Sequence, residues 1–310
     1  MNKHEKYSTK KILIYGAGVI GSIYAVMLSN AGYDVTVYAR SARLQSLQSK
    51  GLLYEDKGTV KKARVIISDK VKAHDIYDYV FIAVRYEQVE TALSELAGNG
   101  SKNIVTMVNN PDGYSQWGSI VGTNRILPAF PGAGGVIEDG VLHYQLTPGI
   151  IQSTTFGEIN GELSGRARGL AEIFKASKVP YSISKNMDAW QKTHVALVVS
   201  LAGGLYFDGG DNYTAAKNKK ALRMSSLSAR ECFQALKRAG IPITPSKLNV
   251  FWICPLWLMD FALKLILNTK FAETVMYNHA IIAKDEMLLL GEKLDEMIHR
   301  KQATIRNVKK

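Results

Sequence analysis

Short apolar runs alternate with amphipathic stretches from residue 11 to about residue 126. The runs KILIY, DVTVY, YVFIAV and NIVTMV are rich in β-forming residues, and helical patterns follow the first three at residues 19–30, 42–49 and 87–97. Such alternation is typical of βαβ units, in which helices cover both faces of a parallel sheet. The N-terminal half is therefore predicted to be an α/β domain.

The pattern changes twice further along the chain. Between residues 126 and 159, short runs are separated by Gly and Pro, and we expect ILPAF, VLHYQL and IIQSTTF to extend the sheet. After a helix at 163–177 and a strand at 181–184, only helical periodicity remains. The boundary is therefore placed near Ser182, between an α/β domain of residues 1–182 and an all-helical domain of residues 183–310. In the last long helix one stripe is assigned to the core, formed by Val275, His279, Ile282, Glu286, Leu290, Leu294 and Met297.

Composition excludes several classes of protein. With 310 residues, of which 46% are hydrophobic and 21% charged, the chain is too long for a small disulfide scaffold and too apolar for a disordered protein. Cys232 and Cys254 form no CxxC pair, so we expect neither a disulfide framework nor a zinc site. The charged first eleven residues precede only a short apolar run, so we expect no signal peptide and a location in the cytoplasm.

The longest uncharged apolar stretch, residues 248–259, is about half of a membrane span and contains Pro255. We therefore expect no membrane association. The segment 250–259 has three interpretations, an interior segment, the face of a homodimer or a wall of the substrate site, and an interior segment is the default.

The net charge of +12, from 39 Lys and Arg against 27 Asp and Glu, attracts anions in general. The basic residues are scattered, and no RNA-binding or zinc-finger pattern accompanies them. Small anionic ligands are therefore favoured, and no nucleic-acid partner is expected.

A GxGxxG motif follows the first apolar run and opens the first helix. Gly16 permits a tight turn, Gly18 allows the backbone to approach a pyrophosphate, and Gly21 allows the helix to pack closely on the sheet. Val19 and Ile20 complete the motif at the helix N-terminus, where the backbone N–H groups bind phosphate. This context predicts a Rossmann-type dinucleotide-binding domain.

Arg40 follows the second strand, where NAD-dependent enzymes usually have Asp or Glu. A guanidinium pairs bidentately with a 2′-phosphate, and the missing carboxylate removes a repulsion, so the predicted cofactor is NADP. Arg43, one helical turn further on, is a second candidate. The alternative for Arg40 is a solvated loop cation.

These motifs, the basic residue that closes YVFIAVR, the turn NNPDGY and the helical half that begins around DAWQK resemble the ketopantoate reductase (2-dehydropantoate 2-reductase) family. The resemblance implies NADPH-dependent reduction of 2-dehydropantoate to pantoate, in pantothenate biosynthesis. It assigns Lys192 as the catalytic residue that donates a proton or hydrogen bond to the carbonyl oxygen, and places Asn110 beside the cofactor and that lysine. The alternatives are an exposed helix ion pair of Lys192 with Asp188, and a turn role for Asn110 before Pro111.

Other positions depart from the family pattern. Arg85 stands where the family has a lysine near the cofactor, and Glu273 matches a later glutamate that we assign to the cofactor site. Ala196 and Ser200 replace two asparagines that hold substrate, which leaves Ser200 as the substrate-binding candidate. The small 2-oxo acid that is the substrate therefore stays open. The alternatives are a paralogue acting on another 2-oxo acid and an NADPH-binding redox sensor without turnover.

Overall fold

The computed structural model describes residues 10–308, except for the side chains of residues 208, 279 and 303–308. The chain separates into two compact units. The first holds the described residues up to Val108 together with Tyr114–Met187, and the second holds Asn109–Gly113 and the described residues from Asp188 onward. The division after Met187 lies near the predicted boundary at Ser182, but the assignment of residues 109–113 to the helical unit was not predicted. Residues 1–9, on which the expectation of no signal peptide rests in part, lie outside the described residues.

The first unit contains the β-strands and the shorter helices. Its strands are β1 (Lys11–Tyr15), β2 (Asp34–Tyr38), β3 (Leu53–Asp56), β4 (Thr59–Lys62), β5 (Ile66–Ser68), β6 (Tyr79–Ile82), β7 (Ile104–Met107), β8 (Ile126–Phe130), β9 (Ala133–Glu138), β10 (Val141–Leu146), β11 (Thr154–Phe156) and β12 (Tyr181–Ile183). Its helices are α1 (Val19–Asn30), α2 (Ser41–Lys50), α3 (Val89–Leu96), α4 (Ser115–Val121), α5 (Gly149–Gln152) and α6 (Gly165–Ala176).

Eight strands form the main sheet, in the order β12-β11-β8-β7-β6-β1-β2-β5. The strands from β8 to β5 are parallel, and β11 pairs antiparallel with β8. Strands β6 and β7 are buried along their whole length, as expected where helices cover both faces of a parallel sheet. The predicted α/β fold is confirmed.

The expectation that VLHYQL extends the main sheet is wrong. This run forms β10, which lies in a second sheet of order β4-β3-β10-β9. A tight turn with positive φ at Asp139 and Gly140 folds β10 back antiparallel on β9, and the other edge of β10 pairs with β3. The hairpin thereby moves β10 away from the parallel strands.

The second unit is helical over its described residues. Its helices are α7 (Met187–Asp208, of which Met187 belongs to the first unit), α8 (Asn212–Ala215), α9 (Lys219–Arg238), α10 (Val250–Ile253), α11 (Leu256–Leu267), α12 (Lys270–Ala272), α13 (Asn278–Ile282) and α14 (Lys284–Val308). The all-helical C-terminal domain is thus confirmed.

The last helical stretch is interrupted, in contrast to the continuous helix that the pattern predicted. A π-helical turn, Glu273–Tyr277, precedes α13, and α14 begins at Lys284. Leu290, Leu294 and Met297 are buried as expected, whereas Ile282 is exposed. The break rotates the stripe, because each π turn or gap changes the angle between successive apolar positions. The side chain of His279 lies outside the described part.

The default interpretation of residues 250–259 as an interior segment is wrong for this chain. Ile253 is 78% exposed and Trp257 is 65% exposed. Helix α11 is apolar around most of its circumference but buries only one stripe, formed by Met259, Leu263 and Leu267. Among residues 10–308, no helix combines the length and the hydropathy that crossing a membrane requires.

Candidate active site

The glycine loop of the first unit adopts the conformation that its sequence predicts. Gly16 has φ +107°, and a Cβ at this position would lie 2.5 Å from the carbonyl oxygen of Ala83. A Cβ on Gly21 would collide with the carbonyl oxygen of Gly16, because α1 packs directly on the turn. A Cβ on Gly18, by contrast, would have no atom within 4 Å. The loop therefore leaves open space at Gly18, the position assigned to a pyrophosphate.

This loop lies where the strand order reverses. The chain runs from β1 to β2 and β5 in one direction, and from β6 to β7 and β8 in the other. The ends of the three central strands are joined by hydrogen bonds, from Gly16 N–H to Tyr38 O at 3.2 Å and from Ala83 N–H to Tyr15 O at 2.9 Å. Ligands of open α/β sheets bind at such switch points, beyond the carboxyl ends of the strands.

The two arginines after β2 are held differently. Arg40 forms an ion pair with Glu95 at 3.3 Å, and its side chain is 49% exposed. Arg43 donates from Nε to the carbonyl oxygen of Ala17 at 2.9 Å and from Nη2 to Ser22 Oγ at 3.3 Å. Burial lowers the pKa of Arg43. Arg43 therefore stabilises the glycine loop, and Arg40 has the more accessible guanidinium.

The remaining predicted cofactor residues of this unit are near the same edge of the sheet. Val19 and Ile20 open α1, whose first turn carries no acidic residue that would repel a phosphate. Arg85 follows β6 and begins the 3₁₀ turn Tyr86–Gln88, and its side chain is exposed. The open space at Gly18, the helix N-terminus and the exposed arginines fit a dinucleotide with phosphate groups.

Lys192 lies in the second turn of α7 and is only 3% exposed. Its ammonium donates to the Asp188 carboxylate one helical turn earlier, so the predicted ion pair is present, although its lysine is buried. Burial lowers the pKa of Lys192, and Asp188 partly offsets this shift. A buried lysine with a depressed pKa is a candidate proton donor.

Asn110 lies in the same unit as Lys192. Its backbone N–H donates to Gln191 Oε1 at 3.2 Å, beside Lys192 on α7. Its side chain closes its own loop, because Oδ1 accepts the N–H groups of Asp112 at 3.1 Å and Gly113 at 3.0 Å, and Nδ2 donates to Gly113 O at 2.7 Å. The turn role is therefore present. A catalytic role for Asn110 stays a prediction.

Ser200, two turns after Lys192, uses its hydroxyl within the helical unit. It donates to Ala196 O at 2.8 Å and accepts from Ser228 Oγ at 3.0 Å, between α7 and α9. Both Ser200 and Ala196 are buried. Substrate binding by Ser200 stays a prediction.

Glu273 begins the π-helical turn of the second unit. Lys270 Nζ donates to its carboxylate at 2.7 Å and Tyr213 Oη donates at 2.9 Å. The bond from Lys270, followed by that from Tyr213, lowers the pKa of Glu273. π-helical turns are frequent at functional sites, but the assignment of Glu273 to the cofactor site stays a prediction.

Three residues with direct contacts to predicted site residues were not identified from the sequence. Gln191 binds the backbone of Asn110, Asp112 raises the pKa of Lys192, and Glu95 binds Arg40. Gln191 had one available signal, since it precedes Lys192 in the sequence. Glu95 had none, because it lies on a helix far from Arg40 in the chain.

A family profile described as "Ketopantoate reductase PanE/ApbA" matches residues 12–161, which include the glycine loop, Arg40, Arg85 and Asn110. Residues 12–161 belong to the ketopantoate reductase family. The matched region ends before Lys192. In this ketopantoate reductase-like chain the roles of Lys192, Ser200 and Glu273 therefore rest on the resemblance of their sequence positions and not on the profile.

Curated relatives named 2-dehydropantoate 2-reductase agree with this family, and solved structures share the fold of this chain. The chain is 31% identical over 188 residues to a 2-dehydropantoate 2-reductase of Mesorhizobium japonicum, covering 52% of this chain and 56% of the relative. Matches to the curated relatives span little more than half of each relative's length. The structure of 2-dehydropantoate 2-reductase from Porphyromonas gingivalis superposes with a TM-score of 0.66 at 14% identity, covering 96% of this chain and 99% of that one. A ternary structure of D-mandelate dehydrogenase with NADH and anilino(oxo)acetate has a TM-score of 0.71 at 17% identity, with the same two coverages. At these identities the solved structures show a shared fold.

Proposed function

We propose that this protein reduces a small 2-oxo acid with NADPH, and that the substrate is 2-dehydropantoate, which becomes pantoate. The supporting observation is the buried Lys192 ammonium, fixed by Asp188 and carried on the helix that holds the Asn110 loop. Family membership of residues 12–161 supports the cofactor half of the proposal.

The proposed chemistry assigns one task to each part of the chain. When bound, the nicotinamide supplies a hydride to the carbonyl carbon of the substrate. Lys192 holds a proton at Nζ and donates it to the carbonyl oxygen, on which negative charge develops during reduction. Burial favours this transfer, because it weakens the hold of Nζ on its proton.

The loop of Asn110 has a positioning task in this proposal. Gln191 and the turn formed by Asn110, Asp112 and Gly113 fix the backbone beside Lys192. Burial lowers the pKa of Lys192, and Asp188 and, to a smaller extent, Asp112 oppose that shift. The loop and α7 therefore together set the protonation state of the proposed donor.

Arg40 is proposed to bind the 2′-phosphate of the cofactor. This assignment favours NADPH over NADH. Its guanidinium is exposed and follows β2 at the switch point, where NAD enzymes carry a carboxylate. The proposed compartment is the reducing cytoplasm, which the free thiols of Cys232 and Cys254 support.

A second candidate is the reduction of a different 2-oxo acid. The side chain of Ala196 carries no hydrogen-bonding group, and the Ser200 hydroxyl is already bonded to Ala196 O and Ser228. The polar contacts expected for the hydroxyl group of 2-dehydropantoate are therefore reduced on this helix face. This feature favours a less polar 2-oxo acid as the second candidate substrate, by analogy with D-mandelate dehydrogenase, whose ternary structure contains anilino(oxo)acetate.

Turnover of NADPH with a panel of 2-oxo acids tests these proposals. The panel contains 2-dehydropantoate, the aliphatic acid 2-oxoisovalerate and the aromatic acid benzoylformate. Fastest reduction of 2-dehydropantoate supports the first proposal, and fastest reduction of another member supports the second. Tight binding of NADPH without its oxidation by any member would contradict both and support a redox sensor.

A further inference from the structure

Glu95 of α3 contacts three side chains at the ends of β1 and β2. The hydroxyl of Tyr15 donates to Glu95 Oε2 at 2.5 Å and that of Tyr38 donates to the same oxygen at 3.1 Å. Arg40 Nη1 donates to Glu95 Oε1 at 3.3 Å. Tyr15 directly precedes Gly16, so this carboxylate lies next to the proposed cofactor site.

The two tyrosines fix the position of the carboxylate. Their rings are buried and lie 4.5 Å apart between centroids. Burial, and then the contact with Glu95, raises the pKa of both tyrosines, so both remain hydrogen-bond donors at physiological pH. Two neutral donors on one oxygen hold a carboxylate in place.

Arg40 is held more weakly than Glu95. The guanidinium is 49% exposed and the Glu95 side chain 37% exposed, and exposed ion pairs of this kind contribute little stability. Arg40 also lies over the Tyr38 ring, 5.9 Å from its centroid. Arg40 can therefore exchange Glu95 for a phosphate group, while the carboxylate of Glu95 stays fixed beside it.

We propose that Glu95 determines cofactor specificity, because its fixed carboxylate competes for Arg40 and reduces the preference of the site for a 2′-phosphate. A phosphate on the adenosine ribose gains the attraction of Arg40 but meets the repulsion of Glu95. A ribose with a free 2′-hydroxyl meets no such repulsion. NAD-dependent enzymes usually carry a carboxylate directly after β2, and this chain does not. Glu95 of α3 places a carboxylate beside Arg40 instead. This inference rests on the NADPH part of the proposed function.

The test uses the two half-ligands that differ only in the phosphate, 5′-AMP and 2′,5′-ADP, and measures their binding to the full chain by titration calorimetry. Glu95→Gln removes the charge and keeps the shape. It should tighten 2′,5′-ADP binding by about five- to twentyfold at low salt, with less gain as salt screens the charge. Binding of 5′-AMP should change by less than about twofold. Glu90→Gln, an exposed position on the same helix with the same charge change, is the matched control and should leave both affinities unchanged.

Unchanged 2′,5′-ADP affinity in Glu95→Gln, or an equal gain for both ligands, would overturn the role of Glu95. Thermal unfolding of each variant confirms that it is folded, and Glu95→Ala repeats the test with the carboxylate deleted. A separate result would contradict the proposed contact of Arg40 with the 2′-phosphate: binding of 2′,5′-ADP by Arg40→Ala as tight as that by the parent protein. Neither result depends on which 2-oxo acid is reduced.

Discussion

The backbone N–H of Asn110 donates to the side-chain oxygen of Gln191 at 3.2 Å, and both residues are buried. This hydrogen bond joins the loop after β7 to the turn of α7 that carries Lys192. Residues 109–113 therefore belong to the helical unit, although they lie within the sequence of the α/β unit.

Replacement of Gln191 by Met removes the acceptor and keeps a similar volume. The buried N–H of Asn110 then loses its hydrogen bond to Gln191. This loss should reduce the free energy of unfolding by about 1–3 kcal/mol. Because the loop is held less firmly beside Lys192, turnover should also fall while NADPH affinity is retained. Chemical denaturation and steady-state kinetics measure the two effects, and a variant with parental stability and turnover would argue against the role of this hydrogen bond.

The glycine loop offers a paired test. Gly18→Ala should fold normally, because Gly18 has φ −69° and open space around a Cβ, yet the added methyl group should weaken NADPH binding by about tenfold or more through exclusion of the pyrophosphate. Gly21→Ala should instead destabilise the fold, since its Cβ collides with Gly16 O. Thermal unfolding and fluorescence titration with NADPH separate the two outcomes. Unweakened NADPH binding by Gly18→Ala would show that the cofactor does not approach this position.

Local patterns predicted the strands and the glycine loop because both signals lie within about twenty consecutive residues. They did not predict which strand VLHYQL joins, since its partner Leu53 is distant in sequence and either sheet satisfies the same alternation. The exposure of Trp257 was missed for a related reason. An apolar sequence predicts a buried helix. Which part of the helix surface is buried depends on the tertiary packing of the chain.

The residues of the candidate site also fall into those that sequence patterns predicted and those that they did not. Gly16, Gly18 and Arg40 were predicted as cofactor-binding residues because that role follows from spacing after a strand. Gln191 and Glu95 act through tertiary contacts with residues far away in the chain, for which no sequence spacing exists. Asn110 was assigned by resemblance, and the structure adds that its side chain builds the turn.

The pH dependence of reduction should report Lys192. A proton donor acts in its protonated form, so turnover should fall as pH rises through the pKa of Lys192, which burial sets below the ordinary value of 10.5. Asp188 and Asp112 raise this pKa, whereas Lys301 lowers it. Asp188→Asn should therefore move the falling limb to lower pH, and Lys301→Gln should move it to higher pH, each by up to about one unit. Limbs that do not move in opposite directions would contradict Lys192 as the titrating donor.

Cofactor preference should depend on Arg40. Arg40→Ala should weaken NADPH binding by about 1–3 kcal/mol, through loss of a charged hydrogen bond, and leave NADH binding nearly unchanged. Arg43→Ala is the contrasting variant, because Arg43 bonds to Ala17 O and Ser22 and its loss should weaken both cofactors together. Titration of both nucleotides measures the difference. Equal weakening of NADPH and NADH by Arg40→Ala would show that Arg40 does not contact the 2′-phosphate.

The most direct test of the proposed reductase is the rate of NADPH oxidation with 2-dehydropantoate, measured for the parent chain and for Lys192→Ala. We predict that the parent chain turns over and that Lys192→Ala reduces turnover by about 10²- to 10⁴-fold, with NADPH affinity nearly unchanged. If Lys192 were only the partner of Asp188, its loss would lower the thermal stability and leave the turnover of the folded variant unchanged. Full activity of Lys192→Ala on any 2-oxo acid that the parent chain reduces would contradict the account.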